Sequence, residues 1–262
     1  MSQTDAPAVP AATILLLRES AEGLQVFMVV RHHQIDFASG ALVFPGGKVD
    51  EQDFSTDLLA YLDGAHEDAD MRAIQVSAIR EAFEECGVLL ARHNGTLIDG
   101  THLAQLQDAR EPLNNGSLPL LDFLRDNQLA LACDLLIHFA HWITPHGMPK
   151  RFDTHFYIVA APSDHLAVHD GYESVDSVWI TPQQAVQEAQ DGTRTIIFPT
   201  LRNLEKLAQF DSVEAVQAYC AGNPVVPVLP WTEQREDGHY VCIPTDAGYS
   251  ICEEKIPDRP SK

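Results

Sequence analysis

Positive charge is what this chain most lacks: 17 lysines and arginines stand against 38 aspartates and glutamates, a formal net charge of −21. Nucleic acids and anionic membrane surfaces are bound through basic patches, so this balance excludes general binding to either. An anionic small molecule stays open, provided a local basic cluster or a bound cation receives it. Long apolar runs are missing too. The run Ile14-Leu15-Leu16-Leu17 stops at Arg18, and no stretch approaches the ~20 apolar residues of a spanning helix. Met1 to Pro10 carries no Lys or Arg of the kind that opens a signal peptide. Cysteine is sparse and odd in number (Cys86, Cys133, Cys220, Cys242, Cys252), with no Cys-x-x-Cys pair, which favours a reduced compartment over a disulfide framework or a thiolate zinc site. The final Pro260-Ser261-Lys262 lacks the Leu of a peroxisomal tripeptide. The expectation is a soluble, cytoplasmic protein, monomeric or homodimeric, with no nucleic acid or membrane partner.

Several nucleotide-enzyme signatures are also absent. There is no Gly-x-Gly-x-x-Gly and no Gly-x-x-x-x-Gly-Lys-[Ser/Thr], which removes a Rossmann cofactor and a P-loop. Ser39 and Ser77 lack the Gly-x-Ser-x-Gly setting of an α/β-hydrolase nucleophile. Twelve histidines invite a zinc reading, but His138 and His141, three apart in an expected strand, should point to opposite faces, and His32-His33 have the same defect.

What is present is an ordinary globular composition, 45% hydrophobic and 21% charged over 262 residues, long enough for a full core. Residues 1–10 read as a loose Ala/Pro tail. Two β-like runs, Thr13–Leu17 and Leu24–Val30, form a hairpin signal. A Gly-rich stretch, Ser39 to Gly47, leads into the acidic segment Asp50–Asp70. A helix follows from about Asp70 to Cys86, burying Ile74, Ala78, Ile79, Ala82 and Phe83 and stopping at Gly87. Leu103–Leu131 reads as helical with breaks at Pro112 and Asn114-Asn115-Gly116. Strands are expected at Leu135–Thr144, Thr154–Ala160 and Ser177–Ile180, helices at Pro182–Ala189 and Leu201–Gln209, and extended or hairpin structure from Val225 to Ile251. Strands and helices interleave without a βαβα rhythm, which points to a mixed sheet rather than a doubly wound one.

The informative segment is Arg80-Glu81-Ala82-Phe83-Glu84-Glu85-Cys86-Gly87-Val88. Glu81, Glu84 and Glu85 stand at i, i+3 and i+4 of a helix, close enough to repel. A bare triplet of this kind reads first as a solvated acidic face. Hard divalent cations such as Mg²⁺ or Mn²⁺ offer the other resolution, because they prefer carboxylate oxygens.

Together with Phe44-Pro45-Gly46-Gly47-Lys48 upstream, this segment resembles the Nudix box, Gly-x5-Glu-x7-Arg-Glu-U-x-Glu-Glu-x-Gly-U, where U is aliphatic. Gly47 matches its first position, Arg80-Glu81 and Glu84-Glu85 its acidic core, and Gly87-Val88 its end. Asp53 falls on the box's first Glu, and Ala82 is small at a U position. Gly47 lies 33 positions before Arg80, so 19 extra residues part loop from helix. The peroxisomal coenzyme A diphosphatase branch of the Nudix superfamily carries a comparable insert. Similarity to that branch continues through Arg31 with Phe37-x-x-Gly40, Arg151-Phe152-Asp153-Thr154-x-Phe156, Trp179-Ile180-Thr181-Pro182 and Pro199-Thr200-Leu201-x-x-Leu204.

The resemblance implies an α/β fold, a Nudix-type α/β/α sandwich around a mixed β-sheet with helical insertions. It divides the chain into a flexible tail (1–10), a hydrolase domain (11–210, with inserts at about 54–69 and 101–131) and a C-terminal extension (211–262). The insert at 54–69 is expected to be an excursion outside the core. The implied activity is metal-dependent cleavage of a diphosphate linkage in a small nucleotide derivative, coenzyme A or an acyl-CoA, giving 3',5'-ADP and (acyl-)phosphopantetheine. NADH, ADP-ribose or a dinucleoside polyphosphate is the alternative substrate, and a non-catalytic nucleotide-binding module the alternative class. The implied metal ligands for Mg²⁺ or Mn²⁺ are Glu81, Glu84 and Glu85 with carbonyl help near Gly46 or Gly47, and Arg80 is a structural clamp. Glu173, in a loop that supplies the base in some Nudix enzymes, joins Glu84 and Glu85 as a catalytic candidate. Arg31, Lys48, Lys150 and Arg151 are candidate phosphate contacts, since guanidinium and ammonium groups suit phosphate.

Overall fold

The computed structural model describes residues 6–31, 40–165, 167, 169 and 174–256. Glu173, His32, His33, Phe37 and Ser39 lie outside the described residues. The chain opens with a long hairpin, β1 (Ala8–Ser20) and β2 (Gly23–Arg31), then two short strands, β3 (Leu42–Val43) and β4 (Gly46–Lys48). Two tight helical turns, Glu51–Phe54 and Thr56–Tyr61, and β5 (Leu62–Asp63) precede helix α1 (Ala69–Cys86). Next come β6 (Ala91–His93), β7 (Thr96–Leu97), α2 (Gly100–Ala104), α3 (Arg110–Asn114), α4 (Leu120–Asp126) and β8 (Leu129–Ala132). β9 (Ile137–Ile143), β10 (Arg151–Ala160) and β11 (Ser174–Ile180) return to the main sheet. α5 (Pro182–Gln190), α6 (Phe198–Leu207), α7 (Val213–Gly222), β12 (Pro227–Val228), β13 (Trp231–Arg235), β14 (Gly238–Cys242) and β15 (Glu253–Lys255) complete the chain.

The main sheet is mixed, in the order β11-β2-β1-β10-β9-β12, with β3 on β2 and β4 on β1. β1 is its axis. It runs parallel to β10 from Ala8 opposite Arg151 to Leu17 opposite Ala160, and antiparallel to β2 and β4. Ile14-Leu15-Leu16-Leu17 is apolar without interruption because both of its faces are covered. Ala12, Ile14 and Leu16 pack with Ile79, Phe83 and the α2–α4 side chains Leu103, Leu113 and Phe123. Leu15 and Leu17 pack on the opposite face with Ala185, Leu204, Leu207 and Val216 of α5–α7. The result is the expected three-layer α/β/α sandwich. A small sheet, β5-β8-β6-β7, borders the α1 side, and β13-β14-β15 forms a separate hairpin sheet.

Three expectations are corrected and one further helix is found. Ala8–Pro10 are not tail: they are already paired with Arg151–Asp153. Leu103–Leu131 is three short helices ending in a strand, because Leu129–Leu131 join β5 and β6, and Pro112 sits inside α3 rather than breaking it. The helix Val213–Gly222 went unread, although Ser212 caps it by accepting from Ala215 N at 3.1 Å. The insert, finally, is no excursion. Leu58 is buried at 1% exposure in the α1-side core with Tyr61, Leu62 and Ala65 packed on it, and β5 pairs with β8. Gln52, just ahead of it, caps α4 by accepting from Leu120 N at 3.1 Å.

The insert therefore contributes to stability. Leu58→Ala should lower the free energy of unfolding by roughly 2–5 kcal/mol, as deletion of a buried leucine does, read from urea denaturation. Excision of residues 54–69 should abolish cooperative unfolding altogether. A shortened chain with an unchanged midpoint would show that the insert is dispensable.

Candidate active site

Helix α1 carries the site, and its ends are fixed locally. Asp68 accepts from Asp70 N and Met71 N, at 3.1 and 3.0 Å, and so satisfies amides that the first turn leaves open. At the other end Gly87 takes φ +70°, where its N–H reaches Phe83 O and the Val88 N–H reaches Ala82 O. That left-handed cap is one that a Cβ would disfavour. The insertion helices then cover the exposed carbonyls: Arg110 Nε donates to Glu84 O at 3.1 Å and Gln107 Nε2 to Gly87 O at 3.1 Å. A cation at a helix C-terminus also suits the helix dipole.

At the centre lies Arg80, 4% exposed. Its Nε and Nη2 grip both carboxylate oxygens of Asp53 at 3.1 and 3.0 Å. Nη1 donates to Glu81 Oε1 at 2.8 Å and Glu84 Oε2 at 3.0 Å, and Nη2 also reaches Lys48 O at 3.0 Å and Ser77 Oγ at 3.3 Å. The guanidinium thus joins the turn Glu51–Phe54, β4 and α1. Asp53, itself 3% exposed, returns a second bond by accepting from Asp50 N at 2.8 Å.

The three box glutamates do not present one common surface. Glu81 and Glu85, one turn apart, lie against the Gly46-Gly47 strand. Glu85 Oε2 accepts from Gly46 N at 3.0 Å, and a Cβ on Gly47 would collide with the Glu81 carboxylate. Glu84 instead turns inward beneath Arg80. Its Oε1 is buried without a hydrogen-bond partner among the described residues, and burial, outweighing the pull of Arg80, pushes its carboxyl up to about 8. Asp50, Asp53, Glu81 and Glu84 surround one guanidinium, and the box glutamates, with one oxygen left unsatisfied, form a donor set that fits a hard divalent cation.

Glu85 and Gly46 open into a small cleft completed by Val29, Arg31, Val43, Phe44 and Ser174. Arg31 is therefore brought to the glutamates, and its Nε has no hydrogen-bond partner among the described residues. Lys48 contributes its backbone carbonyl to Arg80 and Ser77, while its side chain is exposed. Arg151 is placed elsewhere, and the reading of it as a phosphate contact is corrected. Its Nε donates to Thr144 O and Pro145 O, both at 3.1 Å, and Nη1 to Ala6 O at 2.9 Å, so it clasps the β9–β10 connection to the start of β1.

A family profile described as the NUDT19 Nudix domain matches residues 68–207, which contain the whole of α1 and run to the end of α6. The chain belongs to this Nudix family. Among its relatives is a Xenopus laevis protein named acyl-coenzyme A diphosphatase NUDT19, 24% identical over 86% of this chain and 71% of that one. The Homo sapiens protein of the same name is 24% identical over 80% of this chain and 68% of its own length. A Caenorhabditis elegans protein named putative nudix hydrolase 7 is 27% identical over 84% and 66%. In three dimensions the chain is similar to a NUDIX hydrolase from Alicyclobacillus acidocaldarius, with a TM-score of 0.69, 28% identity, and coverage of 81% of this chain and 96% of that one. Nudix hydrolases generally use divalent metals, in keeping with the donor set around Arg80.

One correction concerns the histidines. β9 and β10 slip register between Phe156 and Tyr157, so that Ala140 faces Phe156 but His138 faces Tyr157. The extra residue turns His138 and His141 to the same face, which strict alternation forbids. His141 stacks on His155 with ring centroids 3.9 Å apart, and His155 stacks on His138 at 5.0 Å. Burial first, and the neighbouring rings second, hold His155 down to about 3 and His138 to about 4. No metal or catalytic role was read for His155 or Asp153 in the sequence; His155 pairs directly with His141, and the bulge brings His138 to the same face.

Three outcomes are expected. Gly47→Ala should leave the chain folded, since the Glu81 carboxylate is the far end of a flexible side chain, but it should displace that carboxylate and weaken divalent-ion binding in calorimetry. Gly46→Ala should instead lower the melting temperature sharply, because its Cβ would meet the Ala12 carbonyl at a φ of +154°. For pH, an unfolded histidine titrates near 6.5, so below that pH the unfolded chain binds more protons than these two rings do. Their contribution is complete above pH 6.5 and is lost as pH falls towards 3–4. In chelator-treated protein the stability of wild type should decline more steeply than that of His155→Gln over this window, by up to about 1.4 kcal/mol per pH unit, measured by urea unfolding.

Proposed function

We propose that this chain is a divalent-metal-dependent diphosphatase that cleaves coenzyme A or acyl-CoA to 3',5'-ADP and (acyl-)phosphopantetheine. The observation that carries the reading is the placement of Glu81 and Glu85 against Gly46-Gly47, with the Glu84 Oε1 buried and unsatisfied beside them. An all-oxygen donor set favours Mg²⁺ or Mn²⁺ over softer ions. When bound, such an ion polarises a phosphoryl oxygen and lowers the pKa of a coordinated water.

The chain's own residues do the rest. Arg80 fixes the rotamers of Glu81 and Glu84 through direct bonds, so these carboxylates are preorganised before any ligand arrives. Arg31 stands in the cleft beside Glu85, where its charge receives a diphosphate oxygen. Glu173 and the helix glutamates Glu84 and Glu85 are the candidates for general base. The coenzyme A substrate class is supported by the relatives named acyl-coenzyme A diphosphatase in two vertebrates. A net charge of −21 argues against nucleic acid as substrate. No helix among the described residues is long and apolar enough to cross a membrane. An odd number of scattered cysteines with no Cys-x-x-Cys pair supports a reduced, cytoplasmic compartment.

The test is a substrate panel with Mg²⁺ or Mn²⁺: coenzyme A, acyl-CoAs, NADH, ADP-ribose and dinucleoside polyphosphates, with products identified by mass spectrometry. Coenzyme A derivatives should give the highest kcat/KM, with 3',5'-ADP as a product. Glu81→Gln and Glu85→Gln should each lower kcat by orders of magnitude at an unchanged melting temperature. Glu173→Gln should lower kcat while leaving metal affinity intact; a small effect returns the base to the helix. Turnover that survives all three box glutamates being replaced by glutamine would sink the mechanism.

A further inference from the structure

The geometry points to a second metal site, distinct in chemistry from the glutamate cluster: we propose that His141, Asp153 and His155 bind one zinc-class divalent transition ion that clips β9 to β10. One donor atom from each of these three side chains lies within 4.8 Å of the others. His141 Nε2 is in direct contact with Asp153 Oδ1, and His155 Nε2 stands 3.9 Å from the same oxygen. Two imidazoles and a carboxylate form a donor set that suits zinc and its neighbours, whereas Mg²⁺ prefers oxygen alone.

The surroundings set the ligand atoms in the state a metal requires. His155 Nδ1 lies 3.1 Å from His138 Nε2. His138 is itself hydrogen-bonded to the Ala140 backbone. Donating there, it keeps Nε2 as an acceptor for the His155 Nδ1–H. His155 is then the tautomer whose Nε2 lone pair faces Asp153 and His141. Metal-bound histidines are oriented in this way, by a bond from the second ring nitrogen. The stacked His141 and His155 rings, 20° from parallel, would repel if both were protonated, and burial keeps His155 neutral well below pH 6. Other charged groups that bear on the rings are His66 from the insert and Lys206 from α6. The cluster is reachable: the Asp153 side chain is 38% exposed and that of His141 14%.

The site shares a sheet row with the Nudix box, since Gly47 pairs with Ala12, Ala12 with His155, and His155 with His141. Two strand spacings, roughly 10 Å, separate His155 from Gly47. An ion count alone therefore confuses the two sites, and the test must tell them apart.

The full chain, stripped with a chelator, is dialysed against Zn²⁺ in excess Mg²⁺, and retained zinc is counted by mass spectrometry beside a thermal melt. Wild type and the Glu81→Gln/Glu85→Gln double variant should each retain one equivalent and gain melting temperature with zinc. His155→Gln and Asp153→Asn should lose both the equivalent and the zinc-dependent gain, with near-ultraviolet circular dichroism unchanged. If His155→Gln fails to fold, His141→Gln, on the more open side, carries the same expectation. No retained zinc in wild type, zinc kept by the histidine variants, or zinc lost only with the glutamates would each overturn the proposal.

Discussion

The buried guanidinium of Arg80 is the interaction on which the rest of the site depends. It binds Asp53 from the tight turn Glu51–Phe54, the Lys48 carbonyl from β4, and Ser77, Glu81 and Glu84 from its own helix. One positive charge faces more negative charge than it can neutralise, and the deficit collects at Glu84, whose carboxyl resists ionisation. Burying an unbalanced set of charges costs folding free energy. The arrangement makes sense if a cation completes it. Shape and charge thus meet in one residue: Arg80 holds the turn Glu51–Phe54 to the helix and leaves the glutamates short of a counter-charge.

The Nudix glycines do the complementary work. Gly47 leaves room for the Glu81 carboxylate and Gly46 lends its amide to Glu85, so the loop and the helix interlock through the absence of two side chains. Because the loop is held by β1 and the helix by the packing of Ile79 and Phe83, the site's geometry is inherited from the most buried part of the sandwich. On the far face, Trp142 Nε1 donates to Tyr249 Oη at 2.7 Å, and Tyr249 in turn donates to Asn203 Oδ1 at 2.8 Å. The C-terminal segment is thereby bound into the layer formed by α5–α7.

Much of this was legible in the sequence because local signals and burial agreed. The helix expected at Asp70–Cys86 runs Ala69–Cys86, with Gly87 as its stop, since cap, periodicity and glycine all point the same way. The β-like run expected at Thr13–Leu17 lies within β1. What failed was non-local. The polar composition of residues 54–69 suggested a surface loop, but buried Leu58 and the pairing of β5 with β8 anchor it. Arg151 looked like a phosphate ligand, yet its donors satisfy carbonyls that a turn exposes, a role that depends on chain direction rather than residue type. The His138/His141 inference assumed an unbroken period of two, and a bulge between paired strands leaves no mark in either strand alone.

The central position of β1 has a consequence for how the protein is made. β1 leaves the ribosome well before its parallel partner, β10, which begins only at Arg151. At typical elongation rates of about 5–20 residues per second, that partner follows after roughly 7–30 s. Through this interval Ile14 to Leu17 can be covered on one edge by β2 and β4, while the edge facing β10 stays open. A nascent chain with its most apolar strand half-paired is a substrate for chaperones and a hazard for aggregation. The strand that finally organises both faces of the sandwich is the one that waits longest for its neighbour.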